Sequence, residues 1–107
     1  MSGGALVTGA RRGIGKAIAL ALADAGFDVA VADIERNADL EAVAATIAAM
    51  GRKSVALAGD ISKLESHEAL LGSAEAALGS LTTLVNNAGV SVMNRGDLLD
   101  VLPESFD

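Results

Sequence analysis

Thr8-Gly9-Ala10-Arg11-Arg12-Gly13-Ile14-Gly15 constrains the fold of this chain more than any other stretch. An apolar run, Ala5-Leu6-Val7, stands before it, short enough for a buried strand and too short for a helix. Beyond it, Ile14, Ala17, Ile18, Ala21, Leu22 and Ala25 recur at spacings of three and four. That spacing predicts a helix with its apolar stripe on a sheet. The reading is therefore strand, glycine turn, helix. Gly9 supplies the positive φ of a sharp exit from a strand. Gly13, lacking a Cβ, lets a pyrophosphate approach the backbone, and Gly15 lets the helix pack hard on the strand. The helix N-terminus then offers unpaired N–H groups and the positive end of its dipole to an anion.

The same alternation continues along the chain. Ala25-Gly26 stops the first helix, and Asp28 to Ala32 forms a second strand ending at Asp33. After the polar turn Glu35-Arg36-Asn37, a helix is expected from Asp39 to Met50, closed by Gly51, with Leu40, Val43, Ala44, Ile47 and Ala48 inward. Ser54 to Ala58 is a third strand. Ser62 as N-cap and Glu65 three residues later suggest a capping box for a third helix. That helix carries Leu64, Leu70, Leu71, Ala74 and Leu78 and stops near Gly79. Leu81 to Val85 is a fourth strand, ending in Asn86-Asn87-Ala88-Gly89. Asp97 to Val101 suggests a short helical turn, and Pro103-Glu104 the first turn of another helix.

Helical crossovers between consecutive strands imply a parallel sheet with helices on both faces. The fold class is α/β, a doubly wound parallel sheet with strand order 3-2-1-4 and a switch point between strands 1 and 4. Ligands of such sheets bind outside the carboxyl ends of the strands. Gly9, Asp33, Asp60 and Asn86 to Gly89 all fall there.

Composition narrows the function. The 107 residues make one domain, 51% hydrophobic, with two Phe and no Trp or Tyr. Alanine-rich helices on an aliphatic sheet have this composition. A net charge of −6, with no basic cluster beyond Arg11-Arg12, argues against a nucleic-acid surface. Absence of cysteine excludes disulfides and thiol chemistry. No apolar run approaches the roughly 20 residues of a membrane span, and no basic-then-apolar leader precedes the first strand. A cytoplasmic setting and no membrane partner are expected. His67, Met50 and Met93 read as non-catalytic, His67 as a solvated residue on the polar part of the third helix.

The loop T-G-x-x-x-G-I-G, followed by Asp60-Ile61 and then by N-N-A-G 71 residues after Gly15, resembles the short-chain dehydrogenase/reductase family. The 3-oxoacyl-(acyl-carrier-protein) reductase-like branch fits best. The resemblance covers essentially the whole chain and implies a Rossmann domain over residues 1–107, the N-terminal part of a longer single-domain enzyme. It implies hydride transfer between a nicotinamide cofactor and a small carbonyl or alcohol substrate, in a homo-oligomer, dimeric or tetrameric.

For cofactor binding, the resemblance nominates the loop residues Gly9, Arg11, Arg12, Gly13, Ile14 and Gly15, with Asp33 and Ile34 after strand 2. Asp33, 18 residues beyond Gly15, would accept hydrogen bonds from the adenosine ribose hydroxyls and repel a 2′-phosphate. Arg12 and Arg36 could each meet a 2′-phosphate. NAD is favoured by Asp33, with NADP left open. Asp60 and Ile61 would hold the adenine, although an Asx-type turn accounts for Asp60 as well. Asn87, Ala88 and Gly89 would leave room for ribose, although N-N-A-G alone is a turn word. Thr8 would bond across to the end of strand 4.

The family's catalytic residues are a tyrosine, a lysine four residues later, a serine and an asparagine. No Tyr occurs here, so no catalytic residue can be nominated, and no metal site is expected. Two other readings stand beside the oxidoreductase. One is a non-catalytic nicotinamide-nucleotide-binding module, in which strand 4 would form an exposed apolar edge. The other is an extended-type sugar-nucleotide epimerase or dehydratase, whose usual T-G-x-x-G-x-x-G differs in spacing.

Overall fold

The computed structural model describes residues 3–11, 13–59 and 63–86, together with the backbone of residues 91–94. The elements run β1 (Gly4–Thr8), α1 (Gly13–Asp24), β2 (Asp28–Asp33), α2 (Ala38–Ala49), β3 (Ser54–Ala58), α3 (Leu64–Leu78), β4 (Thr83–Asn86) and β5 (Ser91–Asn94). The strands form one sheet in the order β3-β2-β1-β4-β5. β1, β2, β3 and β4 are mutually parallel, with Thr8 level with Ala32 on one side and Asn86 on the other. The four carboxyl ends therefore open on one edge of the sheet, as the α/β alternation predicts.

Alternate residues of each strand point to opposite faces, and both faces are buried. Val7, Val29, Val31, Ala56 and Val85 meet α1 and α2 through Ala19, Ala23, Leu40, Val43 and Ile47. Leu6, Ala30, Ala32 and Leu84 meet α3 through Leu70, Leu71, Ala74 and Leu78. This is why the strands read as unbroken apolar runs rather than as alternating ones.

α1 differs in phase from the expected stripe. Its buried positions are Gly15, Ala19 and Ala23, with Ile18 and Leu22 partly buried, while Ile14 is 71% exposed. Ala17, Ala21 and Ala25 also face solvent. In an alanine-rich helix almost every position is apolar, so hydrophobicity alone leaves the rotation about the axis undetermined. Backbone proximity decides it instead. A Cβ on Gly15 would lie 2.1 Å from the Gly9 carbonyl oxygen, so the smallest residues take the sheet side.

Along α2 the expected inward set holds except for Ala48, which is exposed. Asn37 caps this helix, its side-chain oxygen accepting from the Leu40 N–H at 3.0 Å.

α3 requires three corrections. Its N-cap is Lys63, in extended conformation and without a side-chain capping bond, so the Ser62–Glu65 capping box does not start it. Leu64 is half exposed. His67 is 2% exposed, on the inward face one turn before Leu70 and Leu71, and is not a solvated residue.

β5 was not foreseen. It runs antiparallel to β4, pairing Thr83 with Asn94 through Asn86 with Ser91. The outer edge of β4 is thereby hydrogen-bonded, which removes the exposed-edge objection to a stand-alone binding module. The helical turns expected over 97–104 lie outside the described residues.

Candidate functional site

The turn between β1 and α1 needs two left-handed glycines, Gly9 at φ 62° and Gly13 at φ 64°. Other residues adopt this backbone at a cost of about 1–2 kcal/mol each. The Ala10 N–H donates to the Ala32 carbonyl oxygen at 3.2 Å, tying the turn to the end of β2. Gly15 then seats against the Gly9 carbonyl, so helix and turn are locked at van der Waals contact. A Cβ built on Gly13 would meet nothing within 4 Å. The space over Gly13 is open, and the first turn of α1 contains no acidic side chain. The peptide N–H groups there face outward with the positive end of the helix dipole behind them.

Asp33 ends β2 beside this turn and is fixed from three directions. Its carbonyl oxygen accepts from the Gly59 N–H at 3.0 Å, and its Oδ1 accepts from the Ile34 N–H at 2.8 Å. Its Oδ2 lies 3.7 Å from Nε of Arg11, an ion pair in which both side chains keep partial exposure. Arg11, Asp33, Ile34, Glu35 and Asn37 line an open hollow of about 170 Å³. Ile34 is 69% exposed at its rim, an apolar surface with no packing role inside the protein. Arg36 points away from the hollow's lining and pairs with Glu41 on the first turn of α2.

On the other side of β1, Thr8 and Asn86 are buried at the switch point. The Thr8 hydroxyl lies 3.2 Å from Oδ1 of Asn86 and 3.5 Å from the Val85 carbonyl oxygen. This is the cross-strand bond expected of Thr8. It ties together the ends of β1 and β4, where the strand order reverses.

The structure thus brings together Gly9, Arg11, Gly13, Gly15, Asp33 and Ile34, with Ile14 exposed at the start of α1. Arg12, Asp60, Ile61, Asn87, Ala88 and Gly89 lie outside the described residues. Sequence reasoning missed the Arg11–Asp33 pair, because adjacency of a loop residue to the next strand's end is a tertiary fact. It also missed Glu35 and Asn37. For Asn37 a signal existed, an Asn just before an apolar helical period. Among the described residues no group of three or more His, Cys, Asp or Glu could hold a metal ion.

A left-handed glycine turn, a bare helix start and a fixed carboxylate are complementary to a ligand with an anionic centre and vicinal hydroxyls. The family description "short chain dehydrogenase" matches residues 4–107. A short-chain dehydrogenase/reductase of Armillaria gallica is 44% identical over 104 residues, covering 96% of this chain and 39% of its own length. A 3-oxoacyl-[acyl-carrier-protein] reductase of Staphylococcus aureus is 42% identical over 91 residues, 85% of this chain and 37% of the reductase. Among solved structures, a short-chain dehydrogenase/reductase of Burkholderia phymatum in complex with NAD superposes with a TM-score of 0.70 at 29% identity. That match covers 78% of this chain and 29% of the other. The chain accordingly spans about two fifths of the length of its relatives.

Proposed function

The chain belongs to the short-chain dehydrogenase family, and from that premise we propose that it supplies the cofactor-binding part of a nicotinamide-dependent oxidoreductase acting on a carbonyl or alcohol. The carrying observation is Asp33, held by Gly59, Ile34 and Arg11 at the mouth of the Gly9–Gly15 turn. The residues fit a dinucleotide: the space over Gly13 is open among the described residues, and the hollow at the end of β2 offers one fixed carboxylate. Gly13 and the first peptide N–H groups of α1 would hold the pyrophosphate. The free side of the Asp33 carboxylate would take the adenosine ribose hydroxyls, and Ile34 would lie against the base. When bound, the nicotinamide gives or takes the hydride. The chain's own part is to bind and orient, with Thr8 and Asn86 keeping the crevice at one width.

NAD is the favoured cofactor, because a 2′-phosphate beside Asp33 and Glu35 meets two like charges. Titration of NADH and NADPH against the purified chain tests this. NADH should bind at least tenfold more tightly, a difference of about 1.4 kcal/mol. Tenfold preference for NADPH would overturn the role given to Asp33. The Staphylococcus aureus relative makes 3-oxoacyl thioesters the first substrates to assay on any longer protein containing this chain. A cytoplasmic homo-oligomer is part of the same proposal. No helix among the described residues is long and apolar enough to cross a membrane.

A further inference from the structure

β3 is the last strand on its side of the sheet, hydrogen-bonded to β2 alone among the described residues. The ladder fixes which of its backbone groups are used. The Lys53 carbonyl oxygen accepts from the Val29 N–H, and the Gly59 N–H donates to the Asp33 carbonyl oxygen. Residues that bond to one neighbour alternate along a strand, so Val55 and Leu57 also turn their backbone groups to β2. Ser54, Ala56 and Ala58 turn theirs outward, an N–H and a C=O each. Nothing on the strand guards this row. Ser54-Val55-Ala56-Leu57-Ala58 contains no proline and no charged side chain, the usual devices that blunt a sheet edge. Its apolar cover is also incomplete. Val55 and Leu57 pack on the α3 side of the core and remain partly exposed, whereas Ala56, on the α2 side, is 4% exposed.

We propose that β3 pairs with β3 of a second copy of this chain, antiparallel about a two-fold axis beside Ala56. The outward residues are spaced symmetrically about Ala56, so this register leaves none of them unmatched. Ala56 exchanges both bonds with Ala56 of the partner subunit, and Ser54 exchanges both with Ala58 of the partner subunit. The edge is thus complementary to itself, which is the isologous contact of a closed dimer. The same register sets Val55 against Leu57 of the partner subunit at a non-hydrogen-bonded position, where cross-strand side chains approach most closely. Their exposed parts are then buried on the α3 face. The helices leave room for this. α2 packs on both β2 and β3, and with strands about 4.8 Å apart the two α2 axes fall about 10 Å from each other, a normal helix-packing distance. The pairing uses none of the residues that line the hollow beside Asp33.

This inference gives a surface to the homo-oligomer proposed above and does not depend on the dinucleotide, so association and NADH binding are read separately. Sedimentation of the purified chain over a dilution series measures the first. The wild type should have twice the mass of one chain when concentrated and dissociate on dilution. Ala58→Pro removes one outward N–H and puts the ring in its place, and should weaken association at least tenfold. Val55→Lys with Leu57→Lys sets like charges opposite one another and should do the same. Val55→Glu with Leu57→Lys sets opposite charges there and should restore the dimer, which tests the register as well as the surface. Far-UV circular dichroism establishes that each variant is folded. Hydrogen exchange needs no variant. The Ser54, Ala56 and Ala58 amides of the wild type should exchange at least tenfold faster on dilution, while those of Val55 and Leu57, bonded to β2, stay protected. A wild type that is monomeric up to its solubility limit, exchange at Ala56 and Ala58 that ignores concentration, or a dimer indifferent to both Ala58→Pro and the lysine pair would overturn the inference. Loss of NADH binding with the dimer intact would overturn the dinucleotide reading and leave this inference standing.

Discussion

A methyl group at Gly15 and one at Gly13 should act by different routes. At Gly15 it would lie 2.1 Å from the Gly9 carbonyl oxygen, so α1 must move away from the turn. Gly15→Ala is expected to lower stability by about 1–3 kcal/mol, the usual cost of overpacking, measured by urea unfolding. At Gly13 the methyl group meets open space, and only the positive φ of 64° opposes it. Gly13→Ala should therefore cost about 1–2 kcal/mol in stability and still weaken NADH more than tenfold, because the added carbon stands where the pyrophosphate approaches. Undiminished NADH affinity in folded Gly13→Ala would show the turn to be purely structural. At Asp33 the prediction concerns preference: Asp33→Ala should move the chain toward NADPH, read from the ratio of the two dissociation constants. The placement of Gly9, Gly13, Gly15 and Asp33 at the strand ends was legible from the alternation of apolar runs and glycine turns. The Thr8–Asn86 bond was legible too, once strands 1 and 4 are neighbours. The partner of Arg11 was not, since nothing local distinguishes it from Arg12.

Among the elements, α2 is the most strongly encoded. Leu40, Val43, Ala44 and Ile47 are all buried, as their spacing requires, and Asp39 and Glu41 lie in its first turn near the positive end of the dipole. Asn37→Ala removes the bond to the Leu40 N–H and should cost about 1 kcal/mol, with Asn37→Asp retaining most of it. Thermal unfolding of the two variants checks this. α1 was encoded in length but not in phase, since alanine and glycine carry too little hydrophobic contrast to mark a face. α3 misled in a different way. Glu65, Ser66 and Glu68 around His67 suggest a solvated turn, yet residue 67 shares a face with Leu70, Leu71, Ala74 and Leu78. Helical spacing was the better guide there than the character of the neighbours. β5 carries little signal of its own, since Ser91-Val92-Met93-Asn94 has only two apolar residues. The residues before it, Asn86-Asn87-Ala88-Gly89, are turn formers, and only residues 87–90 separate β4 from its antiparallel partner.

At the scale of the whole molecule, strand order and the common edge of the carboxyl ends followed from alternation and crossover handedness, with no need of side-chain detail. What the fold assembles on that edge is a candidate binding surface, and the chemistry asked of an oxidoreductase requires more. Reducing a carbonyl by hydride leaves an alkoxide that must be protonated, and the family's acid for that step is a tyrosine. None is present in the 107 residues. The single histidine offers no substitute, because His67 is 2% exposed within α3, packed toward the sheet rather than displayed at the strand ends. General acid–base assistance contributes about 10²–10⁴ in rate, and positioning of the substrate contributes further. The purified chain is therefore expected to bind NADH yet to oxidise it with 3-oxoacyl thioesters or simple ketones at least 10²-fold more slowly than the Staphylococcus aureus reductase, as about 10²–10⁴ of acid assistance is missing. Loss of NADH absorbance, followed with both proteins under the same conditions, measures it. Turnover near the reductase's own rate would require a proton donor on this chain, and Lys16, exposed in the first turn of α1, would be the first residue to replace.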